Sequence, residues 1–129
     1  MKRVLVADDD VDVCTLLRMV LEPLCAVTTV HDAESALALL AADARFDAII
    51  SDFMLPGLDG LEFVARIRSD ESDEEEARVP ILMISGHGAL GVGERARAAG
   101  VDAFLDKPFT LAQLRATMRA LLGSQPRYA

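Results

Sequence analysis

The chain alternates two hydrophobic rhythms. Short apolar runs, often β-branched, are followed by segments in which apolar residues recur every three or four positions. The first rhythm suits buried parallel strands and the second amphipathic helices. Residues 3–7 (RVLVA) predict a strand, and Val13, Leu16, Leu17, Val20 and Leu21 then mark a helix that Pro23 ends. Residues 26–30 (AVTTV) predict a strand nearer a sheet edge, because it carries threonines. Asp32 is placed to cap a helix with the face Ala33, Ala36, Leu37, Leu40. The run 47–51 (DAIIS) is the next strand, and after a turn Leu61, Val64, Ala65 and Arg68 set a third helical period. Residues 80–85 (PILMIS) predict a strand with Pro80 at its start, where proline is tolerated. An Ala-rich helix follows over 88–99, closed by Gly100; Gly88, Gly91 and Gly93 predict that it starts late or frays. Residues 102–105 (DAFL) complete the strands, and Thr110 and Gln113 form a capping box ahead of Leu111, Leu114, Met118 and Leu121.

Strict β–α alternation predicts an α/β fold, a doubly wound five-stranded parallel sheet with helices on both faces and right-handed crossovers. A chain of 129 residues fits one domain, expected over 1–122 with a short tail at 123–129. The net charge of −8 argues against a phosphate-backbone binder, which needs a basic face. No apolar run reaches membrane-span length, and the N-terminal MKRVLVADDD is not a signal peptide, so the cytoplasm is expected. Cys14 and Cys25 lack a metal or redox spacing and read as buried thiols. The acidic run at 70–76 falls between a helix and a strand, on the sheet edge away from the strand ends discussed next, and reads as a solvated loop.

Residues 51–60 (SDFMLPGLDG) change the picture. An apolar strand ends on Asp52 and breaks at once into Pro56, Gly57 and Gly60. In open parallel sheets the C-terminal strand edge is where ligands bind. The first strand ends in Asp8, Asp9 and Asp10, the fourth in Ser85, and the fifth is followed by Asp106, Lys107 and Pro108. The connectivity gathers all of these on one edge. One acid there has a simpler use, since Asp10 or Asp12 can cap the first helix. The rest form a cluster. Two carboxylates ~4 Å apart at an effective dielectric of ~20 repel by roughly 4 kcal/mol, so the cluster needs a cation. Oxygen ligands favour a hard ion, Mg²⁺ or Mn²⁺. With a lysine and a hydroxyl beside it, such a site suits phosphoryl transfer onto a carboxylate nucleophile.

The motifs VLVADDD, SDFMLPGLDG, ILMISGHG and AFLDKPF, in that order from about Lys2 to Leu122, resemble the receiver domain of two-component response regulators. The resemblance implies a flavodoxin-like (βα)5 fold with strand order 2-1-3-4-5. It implies that Asp52 accepts a phosphoryl group from a histidine kinase or a histidine phosphotransfer protein. It makes Asp9 a direct metal ligand, Asp8 the holder of metal-bound water, and the Met54 backbone carbonyl a further ligand beside Asp52. Ser85 and Phe104 become the switch pair, Lys107 the lysine that pairs with the acids, and Lys107–Pro108 a cis peptide. Met54 and His87 border the phosphoryl group and become candidate tuners of its lifetime, although a loop histidine such as His87 is more often simply solvated. The expected protein is a stand-alone signalling domain with a phosphorylation-dependent partner face and no direct nucleic-acid binding. Two alternatives stand beside it. A haloacid-dehalogenase-type phosphatase would read its motif from Asp8, Asp10 and Asp12, where the last position is wrong. A receiver that binds a partner without phosphorylation would not need the intact acids, Ser85 and Lys107.

Overall fold

The computed structural model describes residues 1–42, 45–70, 78–86 and 92–123. The acidic run beyond Asp70, His87, Gly88, Gly91 and the tail beyond Gly123 lie outside those residues. The elements are β1 (Lys2–Ala7), α1 (Val11–Leu21), β2 (Cys25–Val30), α2 (Ala33–Ala41), β3 (Ala48–Asp52), α3 (Gly60–Asp70), β4 (Ile81–Ser85), α4 (Val92–Ala99), β5 (Ala103–Asp106) and α5 (Leu111–Gly123). All adjacent strands are parallel, in the order β2-β1-β3-β4-β5, so the threonine-bearing β2 is an edge strand as expected.

Alternation along the strands splits the interior into two layers. Val4 and Val6 of β1, Ile50 of β3 and Ile84 of β4 face one side, against Cys14, Leu17 and Leu21 of α1 and Leu114, Met118 and Leu121 of α5. Leu5, Ile49, Ile81 and Met83 face the other, against Ala33 and Ala36 of α2, Phe63, Val64 and Ile67 of α3, and Ala96 of α4. Both thiols are free and buried.

Three helix faces differ from the expected ones. In α1 the buried stripe runs through Cys14, Leu17, Val20 and Leu21, while Leu16 is exposed. Cys14 acts as a small hydrophobe in the place the pattern gave to Leu16. In α3 the stripe shares Val64 with the expected one but turns toward Phe63 and Ile67, leaving Ala65 outside. Leu111 at the start of α5 is exposed, though the capping box is present. There the Thr110 N–H donates to Gln113 Oε1 at 2.8 Å, and the Gln113 N–H donates to Thr110 Oγ1 at 3.0 Å.

The N-terminal edge of the sheet is closed by arginines. Arg68, at the end of α3, donates to the carbonyls of Gly100 and Val79 and to Asp102 Oδ2 at 2.8 Å. The same carboxylate oxygen accepts the Ile81 N–H at 2.8 Å, and Arg78 donates to Asp102 Oδ1 at 3.2 Å. Gly100 has φ +110°, and a Cβ there would lie 3.0 Å from Arg68 Cγ, so glycine answers both the turn and the close approach.

Candidate functional site

At the C-terminal edge, β1 and β3 are neighbours whose chains depart differently: β1 leads outward to β2, and β3 leads toward β4. Such a switch point leaves a crevice above the strand ends. β1 stops at Ala7, and the chain bends at Asp9. Asp10 then caps α1, its Oδ1 accepting the N–H groups of Asp12 at 2.9 Å and Val13 at 3.4 Å. Asp8 is tied down beside it: its N–H donates to the Val30 carbonyl at 3.1 Å, and its Oδ1 accepts the Asp10 N–H at 2.9 Å.

Asp8, Asp9 and Asp52 each bring a carboxylate oxygen within 4.8 Å of the others. Asp8 is buried, Asp52 half-buried and Asp9 exposed, so the cluster grades from the interior to solvent. Lys107 reaches it from the end of β5, where its N–H donates to the Ser85 carbonyl at 2.7 Å and the Lys107–Pro108 peptide is cis. Its Nζ lies 3.8 Å from Asp8 Oδ2 and 3.8 Å from Asp52 Oδ1. These are ion-pair distances, too long for hydrogen bonds. The ammonium is shared between two acids and its donors are not committed to either.

The electrostatics follow from burial. Removal from water pushes the Asp8 carboxyl above its ordinary range, against the pull of the Asp10 N–H and Lys107, and with Asp52 adding to the rise. Burial likewise pushes Asp52 up, although Lys107 and the N–H groups of Phe53 and Met54 oppose it. One shared lysine does not offset the desolvation of these acids. An all-oxygen donor set, closely grouped and short of positive charge, fits a hard divalent cation.

The loop after Asp52 is shaped by two glycines. Gly57 has φ +80°, which turns the chain after Pro56. Gly60 donates its N–H to the Phe53 carbonyl at 2.7 Å. A Cβ on it would lie 2.6 Å from the Asp52 carbonyl oxygen and 2.8 Å from that of Phe53, so α3 can start against the strand end only with glycine there. Met54 stands 51% exposed at the mouth of the site.

Ser85 is buried at the end of β4. Met83 pairs in register with Phe104, and alternation puts Ser85 on the same sheet face as Met83. Ser85 and Phe104 are therefore diagonal neighbours on the face that α4 covers. Phe104 is half-buried against that layer. The strand ends singled out by sequence, those of β1, β3, β4 and β5, leave out the end of β2. His31 follows it directly, and its Nδ1 lies 3.0 Å from the Asp8 carbonyl oxygen. Cys14, read as a plain buried thiol, has Sγ 3.4 Å from the same oxygen. Applying the strand-end rule to residue 31 would have brought His31 into the site.

The comparisons with known proteins agree with this geometry. The family described as response regulator receiver domain matches residues 4–119. Response regulator MprA of Mycobacterium avium is 40% identical over 121 residues, covering 93% of this chain and 50% of that protein. The chain thus spans about half the length of the curated relatives it matches. Among solved structures, the chemotaxis response regulator CheY4 of Vibrio cholerae is 32% identical, with a TM-score of 0.81 over 95% of this chain and 99% of that one. The receiver domain of a sensor histidine kinase from Pseudomonas aeruginosa, described with a magnesium ion coordinated in its active-site cleft, is also 32% identical, with a TM-score of 0.80 over 95% and 98%. With the family match spanning most of the chain, and the parallel fold and acidic strand edge to go with it, the chain belongs to the response regulator receiver domain family.

Proposed function

We propose that Asp52 is the residue that takes the phosphoryl group, from a phosphohistidine on a kinase or phosphotransfer protein. The observation that carries this is the placement of Lys107 Nζ, 3.8 Å from both Asp8 and Asp52 at the crevice edge. Asp52 ends the central strand β3 and is the one residue of that strand that is not fully buried, which suits a carboxylate that meets an incoming group. An Asp52 oxygen attacks phosphorus, the P–N bond to imidazole breaks, and the imidazole leaves with the electron pair and takes a proton. Lys107 donates to the transferred oxygens as its weak hold on Asp52 is released. Asp8, Asp9, Asp52 and the Met54 carbonyl would hold Mg²⁺. When bound, the ion supplies positive charge that balances the carboxylates and the transferring group. Asp9, the exposed acid, is the better direct ligand. Asp8 has one oxygen engaged by the Asp10 N–H and the other beside Lys107, which suits an outer role through water.

The new phosphoryl oxygens offer acceptors beside β4. Ser85 turns its hydroxyl to one of them, and Phe104 fills the space it leaves on the α4 side. Phenylalanine has no hydroxyl to satisfy in either position, so the inward state is partly populated before phosphorylation and is shifted by it.

Intact-mass measurement after incubation with acetyl phosphate and Mg²⁺ tests the acceptor. Wild type gains one phosphoryl group, and Asp52→Asn gains none. Equal labelling of the variant would remove Asp52 from the role.

A further inference from the structure

Two successive acids cannot both face one cluster from a straight strand, because neighbouring side chains point to opposite faces. Asp8 and Asp9 nevertheless each place an oxygen within 4.8 Å of the other and of Asp52. The chain does this by leaving the strand after Ala7 and bending at Asp9. The peptide joining Asp8 to Asp9 is planar, so the direction of the Asp8 carbonyl fixes where the Asp9 Cα lies, and with it the point from which the Asp9 side chain departs.

That carbonyl accepts from two side chains of other elements. His31 Nδ1, just past β2, lies 3.0 Å from it, and Cys14 Sγ, on α1, lies 3.4 Å from it. Sγ and Nδ1 are 3.9 Å apart, so the two converge on one oxygen from neighbouring directions. A carbonyl oxygen only accepts, and it has two lone pairs. The thiol hydrogen and a hydrogen on Nδ1 fill both. Nδ1 carries its hydrogen in the neutral Nδ1–H tautomer and in the imidazolium alike, so the arrangement does not depend on the charge of the ring.

We infer that His31 is a positioning residue for the acidic cluster: by donating from Nδ1 to the Asp8 carbonyl beside Cys14, it fixes the Asp8–Asp9 peptide plane and so the spacing of the two carboxylates. The inference rests on the reading of that cluster as a Mg²⁺ site. His31 is exposed, so its replacement removes this hydrogen bond without opening the core.

Two measurements test it. The first is a ¹⁵N–¹H correlation of the imidazole rings at pH 8, where an ordinary imidazole is neutral. The chain has two histidines, and His31→Asn assigns the signals. The hydrogen is expected on Nδ1 of His31; a ring protonated on Nε2 with Nδ1 bare overturns the inference. The second is an NMR-monitored Mg²⁺ titration of wild type, His31→Ala and His31→Asn, with thermal midpoints measured alongside. His31→Ala is expected to weaken Mg²⁺ binding about tenfold, with little change in midpoint. Its labelling rate by acetyl phosphate should return to the wild-type value at saturating Mg²⁺. His31→Asn, which restores an amide donor, should recover most of the lost affinity. Equal Mg²⁺ affinity in wild type and His31→Ala overturns the positioning role and leaves the Mg²⁺ reading intact. A loss that follows a falling midpoint and is not rescued by Asn also overturns it. A wild type that binds no Mg²⁺ overturns both.

Discussion

At the N-terminal edge of the sheet two arginines meet one carboxylate, Asp102, and the guanidinium of Arg68 also takes up the carbonyls of Gly100 and Val79. At the C-terminal edge the proportion is reversed, with one lysine set between Asp8 and Asp52 and Asp9 beside them. The contacts differ in kind as well. Those of Arg68 are hydrogen bonds of 2.7–3.0 Å, whereas Lys107 keeps 3.8 Å from each acid. One edge spends its charges on joining α3, β4 and β5. The other leaves carboxylates partly desolvated and undercompensated, a donor set that suits a hard cation.

The contrast is sharpest where a charge is removed. Asp102→Ala should cost about 3 kcal/mol, because it strips a charged partner from Arg68 and an acceptor from the Ile81 N–H. Urea denaturation would read this, and phosphoryl labelling of the folded fraction should be unchanged. Gly60→Ala tests the approach of α3 to the strand that ends in Asp52. Its Cβ would meet backbone atoms, so a loss of about 2 kcal/mol is expected, together with slower labelling because the displaced backbone carries Asp52.

Asp8→Asn should act in the other direction. The Asn Oδ1 keeps the bond from the Asp10 N–H, while the buried charge disappears. Since burial raises the Asp8 pKa in the folded state, wild type loses stability as pH rises through that folded value. The variant should therefore be about 1 kcal/mol more stable at neutral pH without metal. That advantage should vanish below the ordinary carboxylate range, where wild-type Asp8 is protonated in both states. Paired melts at pH 7 and pH 3 decide it, and a variant less stable at pH 7 would contradict the undercompensated site. Arg78→Gln, at a half-exposed position of the opposite edge, should change stability by less than about 1 kcal/mol.

The alternation of strands and helices was readable because buried strands are continuous apolar runs and their turns carry Pro, Gly and Asp. The acidic edge was readable because connectivity alone places strand ends together. Helix faces were less so: Cys14 took the place of Leu16 in α1 and Phe63 joined the α3 stripe in place of Ala65, since small and aromatic residues fill space that a leucine count does not reveal. The Arg68 network was hidden because its acceptors, Gly100, Val79 and Asp102, lie in other segments. The strand-end pattern places His31 at the crevice, but its contact is with the Asp8 backbone carbonyl, a partner that side-chain types do not display.

The direct test of the contrast between the two edges is thermal unfolding under Mg²⁺ titration of wild type, Asp9→Ala and Arg78→Gln. A ligand that binds only the folded state raises stability by RT ln(1 + [L]/Kd). The midpoints of wild type and Arg78→Gln should climb together with Mg²⁺, and that of Asp9→Ala should stay flat. A flat wild type, or an Asp9→Ala protein that climbs with it, would contradict the assignment of the acidic edge as the cation site.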